Sequence, residues 1–279
     1  MKNAIEIAAA IVTIIGFVVI LIQLRLQKKK DRTELILRLS SEFFNNTKYM
    51  SVFKILDSDK LVDCNASIRK IIAGGEIESV DGEAIEGVEE IDLNSYMNFF
   101  NSLAVLVEEK IVSPSDVMKL FRYQMEKTFA SVEMIRYMED FGFNRIKKIL
   151  PKGFFFYGTL KNEKERLQNS DLKEVSHFLV NSRKMKFLNI RKMSFQFNLF
   201  RYKLEEIIIS NERYKAVTLS KSIKDRVIGE FVEITDDSDW SLLFERLDSY
   251  EEVEEYYDRS IVKMNNSKQY CWVYLMRKK

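Results

Sequence analysis

The hydrophobic pattern of the chain changes at residues 151–153, Pro-Lys-Gly, and this change limits the possible folds more than any other feature. From 27 to 150, apolar residues recur at the three- and four-residue spacing of helices. Met97, Phe100, Leu103 and Val107 follow this spacing. From 151 to 279, apolar and polar residues alternate with the two-residue period of strands. The sequence therefore predicts an α+β protein with a helical middle region and a separate strand-rich domain.

The strand-rich part contains several short candidate elements. Strands are predicted at 193–200, 206–210, 226–234, 259–264 and 270–276. The stretch SDWSLLFERLDSY at 238–250 has the apolar spacing and the polar start of a short capped helix. Many strands with one or two helices in about 125 residues indicate a small barrel or a curled sheet.

An uncharged apolar run at 7–24 precedes both regions. About 18 residues at about 1.5 Å each span most of a bilayer core of about 30 Å. Lys2 alone precedes the run, and a basic cluster follows it, consisting of Arg25, Lys28, Lys29, Lys30 and Arg32. We expect a transmembrane helix at 4–26 that anchors a single-pass protein in a bacterial inner membrane, with the remainder cytoplasmic. The alternatives are a signal peptide, which normally has its basic cluster first, and a buried helix.

Composition excludes several classes of protein. Lys and Arg number 44 against 42 Asp and Glu, which leaves a formal charge of only +2, so no nucleic-acid partner is expected. Basic and aromatic residues alternate at 183–203, but the aromatic residues at 195 and 197 share one strand face and suit a core. Two distant cysteines and a single His177 lack the short ligand spacing of a zinc site, so we predict no metal.

The task of the helical region is left open by its sequence. The glycine- and acid-rich stretch at 71–90 lacks the Gly-Lys-Ser/Thr ending of a phosphate loop and predicts a solvated loop or hairpin. Ser113 before Pro114 predicts the start of a helix. The region is a candidate spacer, a sensor, or a dimerisation unit through which the protein forms a homo-oligomer.

Four short motifs occur in order in the second half of the chain. They are FYGTL at 156–160, GEFVEI at 229–234, LDSYEEVEEYYDR at 247–259 and WVYLM at 272–276. In this order they resemble the gamma-glutamylcyclotransferase superfamily, close to its AIG2-like branch, over about residues 154 to 276. The positions that match its pattern are Tyr157, Gly158, Thr159, Leu160, Gly229, Leu247, Asp248, Glu251, Tyr257 and Arg259.

The resemblance implies a small mixed β-barrel with flanking helices, and an enzyme without metal or cofactor. Such an enzyme releases 5-oxoproline from a small gamma-glutamyl amine or peptide when the substrate's α-amino group attacks its own γ-carbonyl carbon. Glu251 is then the general acid and base, and the loop formed by Tyr157, Gly158, Thr159 and Leu160 binds the substrate. By composition alone, Glu251 belongs to a solvated acidic run. Glu252 replaces a glycine usual in the family, and the alternative function is a non-catalytic ligand-binding or signalling module at the cytoplasmic membrane face.

Overall fold

The structure is a computed structural model. Side chains are not described for 2–19, 170–171 and 180–228. The residues that it describes are 2–58, 60–157, 168, 170–188, 192–193, 199–209, 212–220, 227–235, 238–251, 253, 257–264 and 269–276. Residues 1–45 and 46–279 form two compact units.

The first unit consists of one long helix, α1 (Lys2–Asn45). Among the side chains that are described, which in α1 begin at Ile20, no helix is both long and apolar enough to cross a bilayer. The reason is that charged residues recur from Arg25 to Glu42, so this part of α1 has no apolar run of about 20 residues. The predictions of a transmembrane helix at 4–26, of a single-pass membrane protein and of an inner-membrane location are therefore corrected.

The second unit begins with helices and one hairpin, as the sequence predicts. Their bounds are α2 (Thr47–Leu56), α3 (Leu61–Ile72), β1 (Ile77–Val80), β2 (Glu83–Val88), α4 (Glu90–Glu108), α5 (Pro114–Ala130), α6 (Val132–Asp140) and a 3₁₀ helix (Asn144–Lys148). The capping box of Ser113 with Asp116 starts α5, which confirms the predicted helix start. Asp81 and Gly82, with φ of 52° and 82°, form the turn of the hairpin predicted within 71–90.

Aromatic side chains form the core of this helical part. Tyr96, Phe100, Phe121 and Phe129 are buried, and their rings meet edge to face at centroid distances of 5.3 to 6.4 Å. This arrangement places the positive ring edges against the negative ring faces. It also fixes α5, which carries Phe121 and Phe129, against α4.

The remaining part of the second unit is rich in strands. Its elements are β3 (Gly153–Phe156), α7 (Ser170–Val175), a 3₁₀ turn (Ser176–Phe178), β4 (Leu179–Leu188), β5 (Lys192–Met193), β6 (Leu199–Ile209), β7 (Glu212–Ser220), β8 (Val227–Ile234), α8 (Trp240–Tyr250), β9 (Tyr257–Lys263) and β10 (Tyr270–Met276). Over the residues that the structure describes, the predicted helix at 238–250 and the predicted strands at 206–210, 226–234, 259–264 and 270–276 are confirmed; residues 210 and 226 lie outside that description. The prediction of one strand at 193–200 is wrong, because Met193 of β5 lies opposite Leu199 of β6 in an antiparallel pair; residues 194–198 between them lie outside the described residues.

Five strands form one mixed sheet in the order β4-β8-β3-β10-β9. β3 and β10 are parallel, with Phe154 opposite Trp272. β9 is antiparallel to β10, with Arg259 opposite Tyr274. The carboxyl ends of β3 and β10 therefore lie at the same end of the sheet as the start of β9.

The predicted small mixed barrel is wrong. In the described residues the strands divide among this five-stranded sheet, the two-stranded hairpin β1-β2 and a three-stranded group β5-β6-β7, without a closed ring of hydrogen-bonded strands. β6 and β7 form a long hairpin, from Arg201 opposite Ser220 to Ile209 opposite Glu212, that belongs to the three-stranded group and not to the five-stranded sheet. The fold is thus α+β, as predicted, but with separate sheets.

Both faces of the five-stranded sheet are apolar. On one face Phe155, Tyr157, Phe231 and Val273 belong to a single buried cluster. On the other face Phe244 of α8 packs on Phe154 and Trp272, with ring centroids 5.1 and 5.3 Å apart. A sheet buried on both sides explains why its strands contain continuous apolar runs such as Gly153–Phe156.

Gly229 in β8 is required by close packing. A Cβ atom at this position would lie 2.2 Å from the Phe156 carbonyl oxygen and 2.4 Å from the Phe155 ring. No side chain fits within such distances, so the backbone of β8 approaches β3 only because residue 229 is glycine. The glycine that matches the family pattern therefore has a packing role in this sheet.

Candidate functional site

The candidate site is built at the carboxyl end of α8. Asp239 caps the start of the helix by accepting a hydrogen bond from the Leu242 N–H at 2.8 Å. Glu251 ends it, and its own N–H donates to the Leu247 carbonyl at 3.0 Å. Asp248 and Glu251 are three residues apart across this last turn, a spacing that brings helical side chains together. Two carboxyl groups therefore lie side by side at one helix end.

Asp248 is held by two groups from the sheet. The Arg259 Nη1 group donates to both carboxylate oxygens of Asp248 at 2.7 Å. The Tyr274 hydroxyl donates to Oδ1 of Asp248 at 2.8 Å. Because Arg259 and Tyr274 are opposite each other in β9 and β10, the strand register itself brings both donors to one carboxylate.

The Arg259 side chain has no solvent exposure. Its guanidinium carbon lies 4.1 Å from the centre of the Phe244 ring and 5.7 Å from that of Trp272. A buried charge requires a counter-charge and hydrogen-bond acceptors, and Asp248 supplies the charge. The stacking on aromatic rings suits a planar guanidinium rather than an ammonium group.

Glu251 has the environment of a general acid and base. Burial, and second to it the negative charge of Asp248, raises the pKa of the Glu251 carboxyl to about 8. Burial and the neighbouring Asp248 also raise the pKa of Tyr274 well above its usual range, so its hydroxyl stays protonated and donates. The two carboxyl groups thus differ in environment: Asp248 accepts three hydrogen bonds in an ion pair, whereas the raised pKa of Glu251 keeps its carboxyl largely protonated at neutral pH.

Tyr157 is the described member of the predicted substrate loop. It is buried directly after β3, and its hydroxyl donates to the Tyr274 backbone carbonyl. The chain leaves β3 at the same sheet end where Glu251 leads toward β9. Gly158, Thr159 and Leu160 lie outside the described residues, so the meeting of this loop with Glu251 stays a prediction.

Sequence reasoning assigned no role to three parts of the site. Asp248 and Arg259 were recognised only as positions matching a pattern, and Tyr274 only as part of an apolar strand. An arginine among the buried residues of β9 was a signal that a carboxylate faces it. The third part consists of the Phe129 and Ala130 backbone carbonyls of α5, which accept hydrogen bonds from Nη2 of Arg259. These carbonyls carry no signal in the sequence because Arg259 lies about 130 residues away.

Metal ligation has no candidate in the described part of the chain, where no group of three or more His, Cys, Asp or Glu side chains is arranged to hold an ion. Cys64 and Cys271 are free and buried. Burial raises the pKa of the Cys64 thiol to about 12, and that of Cys271 rises for the same reason, so neither has the thiolate character of a nucleophile.

Comparison with known protein families finds a match in the C-terminal part of the chain. Residues 154–279 match the family described as gamma-glutamyl cyclotransferase, AIG2-like. The predicted resemblance is confirmed for this segment, and the match supports a cyclotransferase-like enzyme. No curated protein and no solved structure matches the chain significantly.

Proposed function

We propose that this gamma-glutamyl cyclotransferase-like segment releases 5-oxoproline from a small gamma-glutamyl amine or peptide, with Glu251 as general acid and base. The observation that carries the proposal is the Glu251 carboxyl, whose pKa burial raises to about 8. A carboxyl group poised near the working pH can take a proton in one step and return it in the next. An ordinary solvated glutamate cannot do both at neutral pH.

The reaction joins two groups of one molecule. The substrate's α-amino nitrogen attacks the γ-carbonyl carbon, the bond from that carbon to the leaving amine breaks, and a five-membered lactam forms. Two protons leave the α-ammonium nitrogen in turn, and Glu251 passes each of them to the leaving amine; the products are a neutral lactam and an ammonium, and the enzyme ends unchanged. Because both reacting groups belong to one substrate, a pocket that holds it curled removes much of the entropy cost.

The pKa of Glu251 is close to that of the group from which it takes a proton. The α-ammonium of a peptide terminus has a pKa of about 8, close to the pKa of about 8 that burial gives Glu251. The reactive complex must hold one proton, shared between acid and amine, so we expect the rate to fall on both sides of about pH 8.

The loop that begins at Tyr157 is proposed to bind the substrate. The Tyr157 hydroxyl donates to the Tyr274 backbone carbonyl of β10, which holds Tyr157 at the sheet end to which Glu251 also leads. Backbone N–H groups after a glycine suit either the glutamyl carboxylate or the developing oxyanion. Membership of Gly158, Thr159 and Leu160 in the site remains part of the proposal.

The test uses the full chain and a panel of gamma-glutamyl amines and dipeptides, with 5-oxoproline measured as product. We expect turnover by the wild type and loss of about 100-fold or more in Glu251→Gln, which keeps the shape but cannot carry the proton. Glu245→Gln is the matched control, because Glu245 lies on the same helix and its side chain is 55% exposed beside Arg136. Ligand binding without product in the wild type, unchanged in Glu251→Gln, would instead favour a non-catalytic binding module.

A further inference from the structure

We propose that helices α5 and α6, which lie outside the family segment, position the two carboxyl groups Asp248 and Glu251, and that Arg259 is the positioning residue that joins them. The inference rests on the proposed function, since it concerns the same acid. It assigns the helical region a task in catalysis. The argument depends on contacts at both ends of α8.

At the carboxyl end of α8, Arg259 is shared between two partners. While Nη1 binds Asp248, Nη2 donates to the Phe129 carbonyl and to the Ala130 carbonyl at 2.9 Å. These carbonyls end α5, because Ser131 leaves the helical conformation with ψ of 120°. The last carbonyls of a helix have no partner within it and carry partial negative charge, so a guanidinium stabilises them.

At the amino end of α8, Glu139 of the helical region binds the first turn of the helix. The Glu139 carboxylate of α6 accepts hydrogen bonds from the Trp240 N–H at 2.9 Å and the Ser241 N–H at 3.0 Å. Lys147 holds Glu139 in turn, at 2.6 Å. The first N–H groups of α8 are thus satisfied by a residue that precedes the family segment. Both ends of the helix that carries Asp248 are fixed from outside.

The contacts of Arg259 with α5 affect Glu251 through the position of Asp248. Arg259 sets where the Asp248 carboxylate lies, and that charge is the second cause of the raised pKa of Glu251. Displacement of Asp248 or of the α8 terminus therefore changes both the position and the proton affinity of the acid. A shift of about 1 Å in a reacting group is enough to lower turnover by about 100-fold.

Arg259→Lys is the direct test, because a single ammonium keeps the charge but cannot bind Asp248 and two carbonyls at once. We expect kcat to fall by about tenfold to 100-fold with KM nearly unchanged. Glu126→Ala is the matched control. It removes another contact of α5 with β9, from the Glu126 carboxylate to the Ile261 N–H at 2.8 Å, without touching Asp248. We expect its kcat to remain within about twofold of the wild type.

Hydrogen exchange provides a readout that needs no activity. The Glu251 N–H bonds to the Leu247 carbonyl and the Val253 N–H to the Asp248 carbonyl, each at 3.0 Å. We expect faster exchange of these two amides in Arg259→Lys and wild-type exchange in Glu126→Ala. If Arg259→Lys does not fold, Glu139→Ala takes its place, with the same amides and kcat as readouts.

The outcomes separate the two proposals. If the wild type makes no 5-oxoproline, the proposed function fails, while the exchange rates still test the positioning by α5 and α6. If kcat and exchange in Arg259→Lys and Glu139→Ala match those of Glu126→Ala, the positioning role is refuted and the contacts are structural only. A loss of activity that follows thermal stability equally in all three variants refutes it as well.

Discussion

The raised pKa of Glu251 makes the stability of the protein depend on pH in a defined direction. In the folded protein the carboxyl keeps its proton up to about pH 8, whereas in the unfolded chain it loses the proton near its ordinary value of 4.5. Between these values the unfolded state binds fewer protons than the native state. The free energy of unfolding therefore falls as the pH rises from about 4.5 to about 8. Glu251→Gln removes this ionisation.

The size of the effect follows from the two pKa values. At about 1.4 kcal/mol for each pH unit, the difference between 4.5 and about 8 corresponds to at most about 5 kcal/mol. The size of this free-energy difference depends on three neighbouring groups. Asp248 and Tyr274 interact with Glu251 directly, and Arg259 pairs with Asp248. Tyr274 stays protonated throughout this range. We expect Glu251→Gln to gain stability over the wild type by several kcal/mol between pH 5 and pH 9.

Urea unfolding of both proteins at half-unit pH steps measures this difference, because ionisations common to both cancel. Glu245→Gln serves as the control for a changed charge on the same helix, and an exposed ion pair such as Glu245 with Arg136 contributes only about 0 to 1 kcal/mol. A stability difference between Glu251→Gln and the wild type that stays constant from pH 5 to pH 9 would show that Glu251 titrates as a solvated carboxyl. The proton carrier of the proposed reaction would then be lost.

Two further predictions concern the sheet and the ion pair. Asp248→Asn leaves the fully buried Arg259 without its counter-charge, so we expect a loss of about 3 to 5 kcal/mol in denaturant unfolding; the pKa of Glu251 should also fall, which would move the acid limb of the rate profile to lower pH. Gly229→Ala puts a methyl group against the Phe156 carbonyl and the Phe155 ring, so we expect destabilisation of about 1 to 3 kcal/mol in thermal unfolding; an unchanged melting temperature would contradict the close packing of β8 on β3.

Elements with a strong local signal were predicted correctly from the sequence. The capping residues Ser113 and Asp116, the apolar runs of β9 and β10 and the spacing of α8 each depend on neighbours within a few residues. Whether a set of strands forms a closed barrel depends instead on pairing between residues that are far apart in the sequence. The hairpin of β6 and β7 has no local sequence feature that distinguishes it from a strand pair within a barrel, so the predicted barrel was wrong.

The candidate site was predictable only in part, for the same reason. Glu251 and Tyr157 were found through short motifs, but the partners that give Glu251 its properties come from three other elements. Tyr274 and Arg259 meet because of register, and the carbonyls of Phe129 and Ala130 meet Arg259 because of tertiary packing. The prediction of a transmembrane helix relied on the apolar run at 7–24. The described side chains of α1 begin at Ile20, and from Arg25 onward they include many charged residues. The role of α5 and α6, the domain boundary near 150 and the homo-oligomer stay predictions.

The contact of Glu126 with β9 has a consequence for the behaviour of the protein in solution. β9 is the outer strand of its sheet, and an outer strand with free N–H groups can recruit a strand from another molecule and begin aggregation. The Glu126 carboxylate already occupies the Ile261 N–H. An incoming strand would have to displace that carboxylate and bring its own carbonyl oxygen close to a negative charge, so α5 protects this edge against intermolecular pairing.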